Sequence, residues 1–577
     1  MIKLYVRYLR SYGKQLILIV VLSLLATLCS LLLPMLSKRI IDEGVLSAGN
    51  ASYSGTVALM ALIAVLSMVF PAVNGKFIAE TSMRFSRNLR ADFFSHVLRL
   101  SRRDMDQIGT SSLISRQGTD IMQMQTGLVQ LLTFMLTAPL MCIGGLVVSI
   151  LTCPRLSWIV LLAVLLCLAF VILVVGIVRK VFLEYQEKLD SVNRLVREAL
   201  NGMRVIRAFN REEREYERFS GVGGELRDSA QHLSRYVLSF PPVMNFFISL
   251  SNILVLWFGA QYMTQSLATY GDVQAFIQYL STIVMGMMML SVGLIVLPRV
   301  QASAERITQV LDLVPSVQDA EQPRSLTEPI RTLEFRNVSF RYGEEGANAL
   351  NDISFRISAG QTLAIIGGTG AGKSTLLNLI PRDYDTTGGA VLVNGHDIRE
   401  YRQKDLRSRI GLVPQKAFLF GGTILDNLRR GKADATEEDA NHALDVAQAR
   451  DFVEEKEYGL YTVLTPGGNN VSGGQRQRLS IARAIIRRPD LYLFDDSFSA
   501  LDFKTDAALR HALKDETRDA IVVIVAQRIS TIKSADLILV MENGTVVGQG
   551  THEELLSGNQ VYREIAQSQL SREEMEA

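Results

Sequence analysis

The chain has 577 residues, too many for one hydrophobic core, so it divides into at least two domains. Apolar residues make up 48% while aromatics reach only 7%, so the excess is aliphatic, as in a chain that meets lipid. With 60 Lys+Arg against 58 Asp+Glu the net charge is +2, which excludes nucleic-acid binding driven by overall charge.

Six apolar runs are long enough to cross a bilayer as helix, which takes roughly 20 residues. They fall at 16–36, 56–78, 128–152, 156–178, 237–263 and 273–298. The start, Met1-Ile2-Lys3-Leu4-Tyr5, lacks a short apolar core with a cleavage site, so the first run is expected to be a retained span. The mixed apolar and basic residues ahead of that run suit an amphipathic helix at the membrane surface. Cys153-Pro154-Arg155 alone separates the third and fourth spans, which predicts a tight hairpin. Pro34, Pro71, Pro139 and the Pro241-Pro242 pair fall inside or near spans, where neighbouring helices can satisfy the freed backbone groups. The cysteines, Cys29, Cys142, Cys153 and Cys167, lie in or beside apolar runs without metal-ligand or disulfide-like spacing.

Basic residues set an orientation. Lys3, Arg7, Arg10 and Lys14 precede the first span, Arg84 to Arg103 carry six arginines after the second, and Arg179-Lys180 follow the fourth. The positive-inside rule then predicts a multi-pass protein of the cell inner or plasma membrane with both termini in the cytoplasm. The polar connections 79–127 and 179–236 are dense in helix formers, so the flanking helices are expected to run well beyond the bilayer, as levers toward a cytoplasmic domain.

A charged stretch with Pro315, Pro323 and Pro329 reads as linker, and strand and helix signals alternate from about Leu333. The expected domains are therefore 1–310 membrane-spanning, 311–332 linker and 333–577 an α/β domain. At its centre Gly367-Gly368-Thr369-Gly370-Ala371-Gly372-Lys373-Ser374-Thr375 fits G-x-x-x-x-G-K-[ST], after the apolar run 362–366 and before the helical 376–380. Its glycines let backbone N–H groups converge on phosphates at a helix start, Lys373 adds a point charge, and Ser374 can hold Mg²⁺. Leu491-Tyr492-Leu493-Phe494-Asp495 reads as an apolar strand delivering a carboxylate, Asp495, to the metal. The fold class is thus a six-helix membrane domain plus a cytoplasmic α/β P-loop nucleotide-binding domain, with ATP and Mg²⁺ as cofactors.

Val471-Ser472-Gly473-Gly474-Gln475-Arg476-Gln477-Arg478 resembles the signature of the ATP-binding cassette (ABC) family. The resemblance implies nucleotide-site roles for Ser472, Gly473, Gly474 and Gln475. It also implies adenine stacking on Tyr342, metal and γ-phosphate sensing by Gln415, and a D-loop at Ser499-Ala500-Leu501-Asp502. Ser374, Gln415 and Asp495 are the implied metal-site residues. Six spans ahead of one cassette resemble exporter-type half-transporters, as does the stretch from Asn201 to Phe209, which places coupling helices near 102–107 and 211–219.

Two positions depart from the family pattern. Asp496 stands where the family has a Glu that positions the attacking water, and Gln527 stands where it has a γ-phosphate-contacting His. A carboxylate one methylene shorter is withdrawn by more than about 1 Å, and an amide cannot carry a proton or charge. Asp496 and Gln527 are accordingly the catalytic positions of a site expected to bind ATP well and hydrolyse it weakly. The expected partner is a second half-transporter bearing the Glu and His, in a heterodimer resembling bacterial multidrug ABC exporters.

No Asp, Glu, Lys or Arg occupies the middle of a predicted span, which leans toward small hydrophobic or amphipathic cargo. Met285, Met287, Met288 and Met289 with Phe134, Phe246, Phe247 and Tyr279 are candidates for an adaptable apolar cavity, or for lipid contact and helix packing. Alternatives within the same architecture are a homodimeric lipid, peptide or siderophore transporter, and a non-transporting, ATP-gated regulatory subunit.

Overall fold

In hydrocarbon a backbone must satisfy its own polar groups, so long apolar runs become helices. In the computed structural model, which describes residues 1–42, 54–343 and 346–569, six helices are long and apolar enough to cross a membrane. The chain packs as two units, residues 1–98 with 110–313, and 99–109 with the chain from 314 onward.

The first unit starts with α1 (Ile2–Leu9), which leads through a single tight turn into α2 (Gly13–Ile40). In α1, Leu4, Tyr5, Tyr8 and Leu9 are buried, while Lys3 and Arg7 face outward together with the apolar Ile2 and Val6. Helices α3 (Ser54–Val97), α5 (Thr110–Thr152), α6 (Ser157–Ala208), α7 (Glu212–Thr264) and α8 (Tyr270–Leu311) follow; each predicted span lies inside one of these helices or α2, except that the fourth begins one residue early, at Leu156, the N-cap of α6. The short α4 (Arg102–Ile108) belongs to the second unit. Pro34, Pro71, Pro139, Pro241 and Pro242 sit inside helices without ending them. Helix α5 contains two wider π-helical stretches, Arg116–Asp120 and Leu131–Met135.

Polar side chains cross-link these helices. Asn74 donates to Ser23 at 2.9 Å, and the buried Asp120 accepts from Ser303 at 2.9 Å and from Arg306 Nε at 2.8 Å. At the start of α8, Thr269 caps the helix and Asp272 returns the bond, while Lys38 of α2 pairs with Asp272 at 2.6 Å. Asp42 accepts from Thr269 Oγ1 at 2.7 Å and from the Gly271 N–H at 3.0 Å, and a Cβ on Gly271 would stand 2.7 Å from that carboxylate.

The second unit carries two sheets. The antiparallel one runs β2-β1-β4-β5, from β1 (Thr332–Phe340), β2 (Leu350–Ser358), β4 (Gly388–Val393) and β5 (His396–Asp397). The larger runs β12-β11-β3-β10-β9-β6, from β3 (Thr362–Gly367), β6 (Ile410–Val413), β9 (Leu491–Asp495), β10 (Ile521–Val525), β11 (Leu537–Glu542) and β12 (Thr545–Gly550). A short pair, β7 (Gly422–Thr423) with β8 (Val463–Leu464), lies apart from both. Strands β11, β3, β10, β9 and β6 are parallel, and their near-continuous Val, Ile and Leu runs are buried on both faces.

Candidate functional site

Ligands of open parallel sheets gather at the carboxyl ends of the strands. Here β3 ends at Gly367, β9 at Asp495 and β10 at Val525, with Ile365 facing Val525 and Val525 facing Asp495 in register. That register brings the phosphate loop, the carboxylates after β9 and Gln527 to one edge.

The phosphate loop turns from β3 into α9 (Lys373–Leu379). Gly372 caps α9 at φ +95°, and a Cβ there would lie 2.8 Å from the Ala349 carbonyl, so both backbone and space demand glycine. The Lys373 ammonium folds back over the loop and donates to the carbonyls of Gly367 (2.8 Å) and Gly368 (2.7 Å). Burial lowers the Lys373 pKa, opposed by the charges of Asp496 and Asp495. Ser374 donates to Asp495 Oδ1 at 3.0 Å, and burial raises the Asp495 pKa against that hydrogen bond. A hydroxyl and a carboxylate already within bonding distance suit a hard cation, so these donors fit Mg²⁺. Thr375 bonds the hydroxyl of Tyr342 at 2.8 Å, which draws that half-exposed ring to the loop.

Asp496 has a left-handed backbone, φ +46°, and its N–H donates to Val525 O at 2.9 Å. Its buried carboxylate is held by two amides at one oxygen: Gln527 donates to Oδ2 at 2.8 Å and Gln415 at 3.2 Å. The structure therefore gathers Gly367–Thr375, Tyr342, Gln415, Asp495, Asp496 and Gln527 into one connected cluster.

Ser472 to Gln475 stand on another element, the start of α10 (Gly473–Ile485). Ser472 accepts from the Gln475 N–H at 3.2 Å and Gln475 returns the bond at 3.1 Å, a reciprocal helix cap. Gly474 lies against the D-loop, where a Cβ would be 3.5 Å from Ala500 O. Asp502 caps α11 (Phe503–Glu516), accepting from the Thr505 N–H at 3.0 Å.

Tyr384 had no sequence signal, whereas its partner Asp106 lies in the segment expected near 102–107. Tyr384 is buried, meets Tyr342 edge-on with ring centroids 5.4 Å apart, and donates to Asp106 of α4 at 2.9 Å. Arg102 of the same helix lies 3.8 Å from Asp383, and Asp104 accepts from the Ser316 N–H at 3.0 Å. The 211–219 segment differs: Arg211 stands at the N-cap position of α7 without a side-chain bond, and the rest forms its first turns. In the membrane unit, a cavity of about 320 Å³ is lined by Phe134, Met288 and Met289 with Phe240 and Pro241. Tyr279 and Met287 are buried in packing instead, while Met285 and Phe246 face outward.

Comparison with known proteins agrees with this geometry. Residues 16–288 match the ABC transporter transmembrane region and residues 350–499 match the ABC transporter family. An ABC transporter ATP-binding protein of Mycobacterium tuberculosis is 38% identical over 98% of this chain and 97% of its own length. A Bacillus subtilis ATP-binding/permease protein assigned by name to multidrug export is 32% identical, covering 98% of each. The ATP-dependent lipid A-core flippase of Desulfotalea psychrophila is 33% identical over 82% of each. A bacterial Atm1-family ABC exporter solved with ATP bound superposes with a TM-score of 0.83 at 25% identity, covering 98% of this chain and 99% of the other. This chain belongs to the ABC transporter family. It is a half-transporter of the exporter type, a multi-pass membrane protein with one transmembrane region and one ATP-binding cassette.

Proposed function

We propose that this chain is the hydrolysis-impaired half of a heterodimeric exporter of hydrophobic or amphipathic compounds. The observation that carries the reading is the Asp496–Gln527 pair. The water-orienting position holds a short carboxylate, and its Oδ2 is engaged by the amides of Gln527 at 2.8 Å and Gln415 at 3.2 Å. The groups that would hold nucleotide, Lys373, Ser374, Thr375 and Asp495, are all present and mutually ordered. A site that binds without turning over needs a competent one elsewhere, and Ser472 and Gly474 offer a partner's phosphate site an ordered helix start.

In this reading Tyr342 supports the adenine, the phosphate-loop amides and Lys373 hold the phosphates, and Ser374, Asp495 and Gln415 hold Mg²⁺. When bound, Mg²⁺ neutralises phosphate charge. ATP binding favours the closed arrangement of two cassettes only through its higher affinity for that state. Helix α4 is the first coupling element, supported by Asp106–Tyr384 and Asp104–Ser316. The start of α7, with exposed Tyr216 and Phe219 near Phe209, is the second. Both termini lie in the cytoplasm, as the basic residues argue. The cavity beside Phe134 and Met288 takes the apolar part of the cargo; its lining favours acyl or aromatic groups over charged ones.

The test is ATPase activity of the purified chain alone and together with a partner half-transporter, each with Asp496→Glu and Gln527→His. The expected result is little turnover alone, brisk turnover in the pair, and a rise of at least about tenfold in the chain alone when both positions are reverted. Brisk turnover by the unaltered chain alone would overturn the reading in favour of a homodimer.

A further inference from the structure

The geometry points to Gln569 as a positioning residue for the nucleotide site, acting on the backbone that carries Gln527. The inference rests on the proposed role of Gln527 at this chain's own ATP site and deepens it.

Gln569 follows α12 (Gln560–Gln567), the last helix among the described residues. Tyr562 and Ala566 are fully buried and anchor this helix on the cassette, and Tyr562 is bonded to His552 Nδ1 at 2.7 Å. From that fixed base the Gln569 side chain reaches the segment after β10. Its Nε2 donates to the Gln527 carbonyl at 2.7 Å, and its Oε1 accepts from the Ile529 N–H at 2.9 Å. One primary amide thus grips a carbonyl and an N–H two residues apart, the pattern a neighbouring strand would supply. Both groups need such a partner: β10 ends at Val525, and Ile529 begins a helix whose first N–H groups have no partner inside it.

The grip bears on chemistry because of what lies between the two bonded groups. Gln527 sends its own amide to Asp496 Oδ2 at 2.8 Å, on the edge where the phosphate loop and Asp495 converge. Arg528 lies over the Phe503 ring at 5.0 Å and donates weakly to Ser499 O at 3.4 Å. With residues 527 and 529 both held, the side chain of Gln527 keeps one direction. A neutral amide has no charge to draw it toward a γ-phosphate, so its aim depends on its backbone more than an imidazolium's would. The grip requires a donor and an acceptor on one side chain: Glu offers only acceptors, and Ala offers neither.

Gln569 is exposed, so its replacement leaves the core intact. The experiment measures binding of MgATP and MgADP to the full-length chain in nanodiscs, for the unaltered protein, Gln569→Ala, Gln569→Glu, Gln527→Ala and the Gln527→Ala/Gln569→Ala double variant. Because ADP lacks the phosphate that Gln527 would meet, Gln569→Ala is expected to weaken MgATP about fivefold and to leave MgADP within about twofold. Gln569→Glu, which keeps only the Ile529 bond, is expected to fall between. The double variant is expected to match Gln527→Ala alone, since both act through one side chain. Equal weakening of both nucleotides, fully additive losses, or no effect of Gln569→Ala would overturn the inference while leaving the reading of Gln527 in place. If Gln527→Ala itself leaves the ATP-to-ADP preference unchanged, that underlying reading fails and takes this one with it.

Discussion

The two units of this chain solve the same problem with opposite surfaces. In the membrane unit large apolar side chains point outward: Met68, Ile172 and Trp257 are exposed, while Ser23, Asn74 and Asp120 are buried. In the cassette Leu363, Ile365, Leu493, Val523 and Leu539 are fully buried and most charges lie outside. The cassette's surface already suits water, whereas the membrane unit's exterior must be covered by lipid or by another chain. Each unit's cohesion should therefore respond to a different solvent, and unfolding of the whole chain should not be a single transition.

Three variants press on that contrast. The largest effect is expected for Lys373→Ala, which removes the ammonium held over the phosphate loop. MgATP affinity should fall about 100-fold, a loss of about 3 kcal/mol for charge-assisted bonds, and nucleotide should no longer raise the cassette's melting temperature. The lipid-dependent transition should stay where it was. Next is Asp120→Ala, which removes the buried carboxylate that Ser303 and Arg306 share. Because the Arg306 side chain is 46% exposed, the cost should be about 2 kcal/mol, below that of breaking a fully buried pair. It should appear only in the transition that shifts with detergent or lipid; movement of the cassette transition instead would break the comparison. The smallest is Ser472→Ala, which deletes the cap of α10. It should cost about 1 kcal/mol and lower the cassette transition by about 2–4 °C, with Ser472→Thr restoring most of it.

The fold was largely legible because its strongest signals are local. Twenty-residue apolar runs admit little besides helix, and the loop around Lys373 needs its glycines in sequence whatever surrounds it. What could not be read is contact between distant segments. Gln475 fits a family signature, yet its visible task is to cap α10 with Ser472, a role its spacing from Ser472 also allows. Asp496 and Gln527 were legible as departures, but not their mutual bond, since 31 residues and a parallel strand pairing separate them. Asp106 fell inside the expected coupling helix near 102–107, but its bond to Tyr384, 278 residues away, carried no signal, because a charged seven-residue helix does not reveal its partner. The methionine group was read by residue type alone: Met285 is exposed and Met287 is buried in packing, while Met288 and Met289 line the cavity.

The knot that joins Lys38 and Asp42 to Thr269, Gly271 and Asp272 has a kinematic consequence. It fuses the end of the first span to the beginning of the sixth through an ion pair and two shared carboxylates, with Gly271 leaving no slack for a side chain. Those two helix ends must travel as one body through any cycle of alternating access. Any opening at that end of the bundle that leaves these bonds intact should therefore separate other helices and keep the first and sixth spans together.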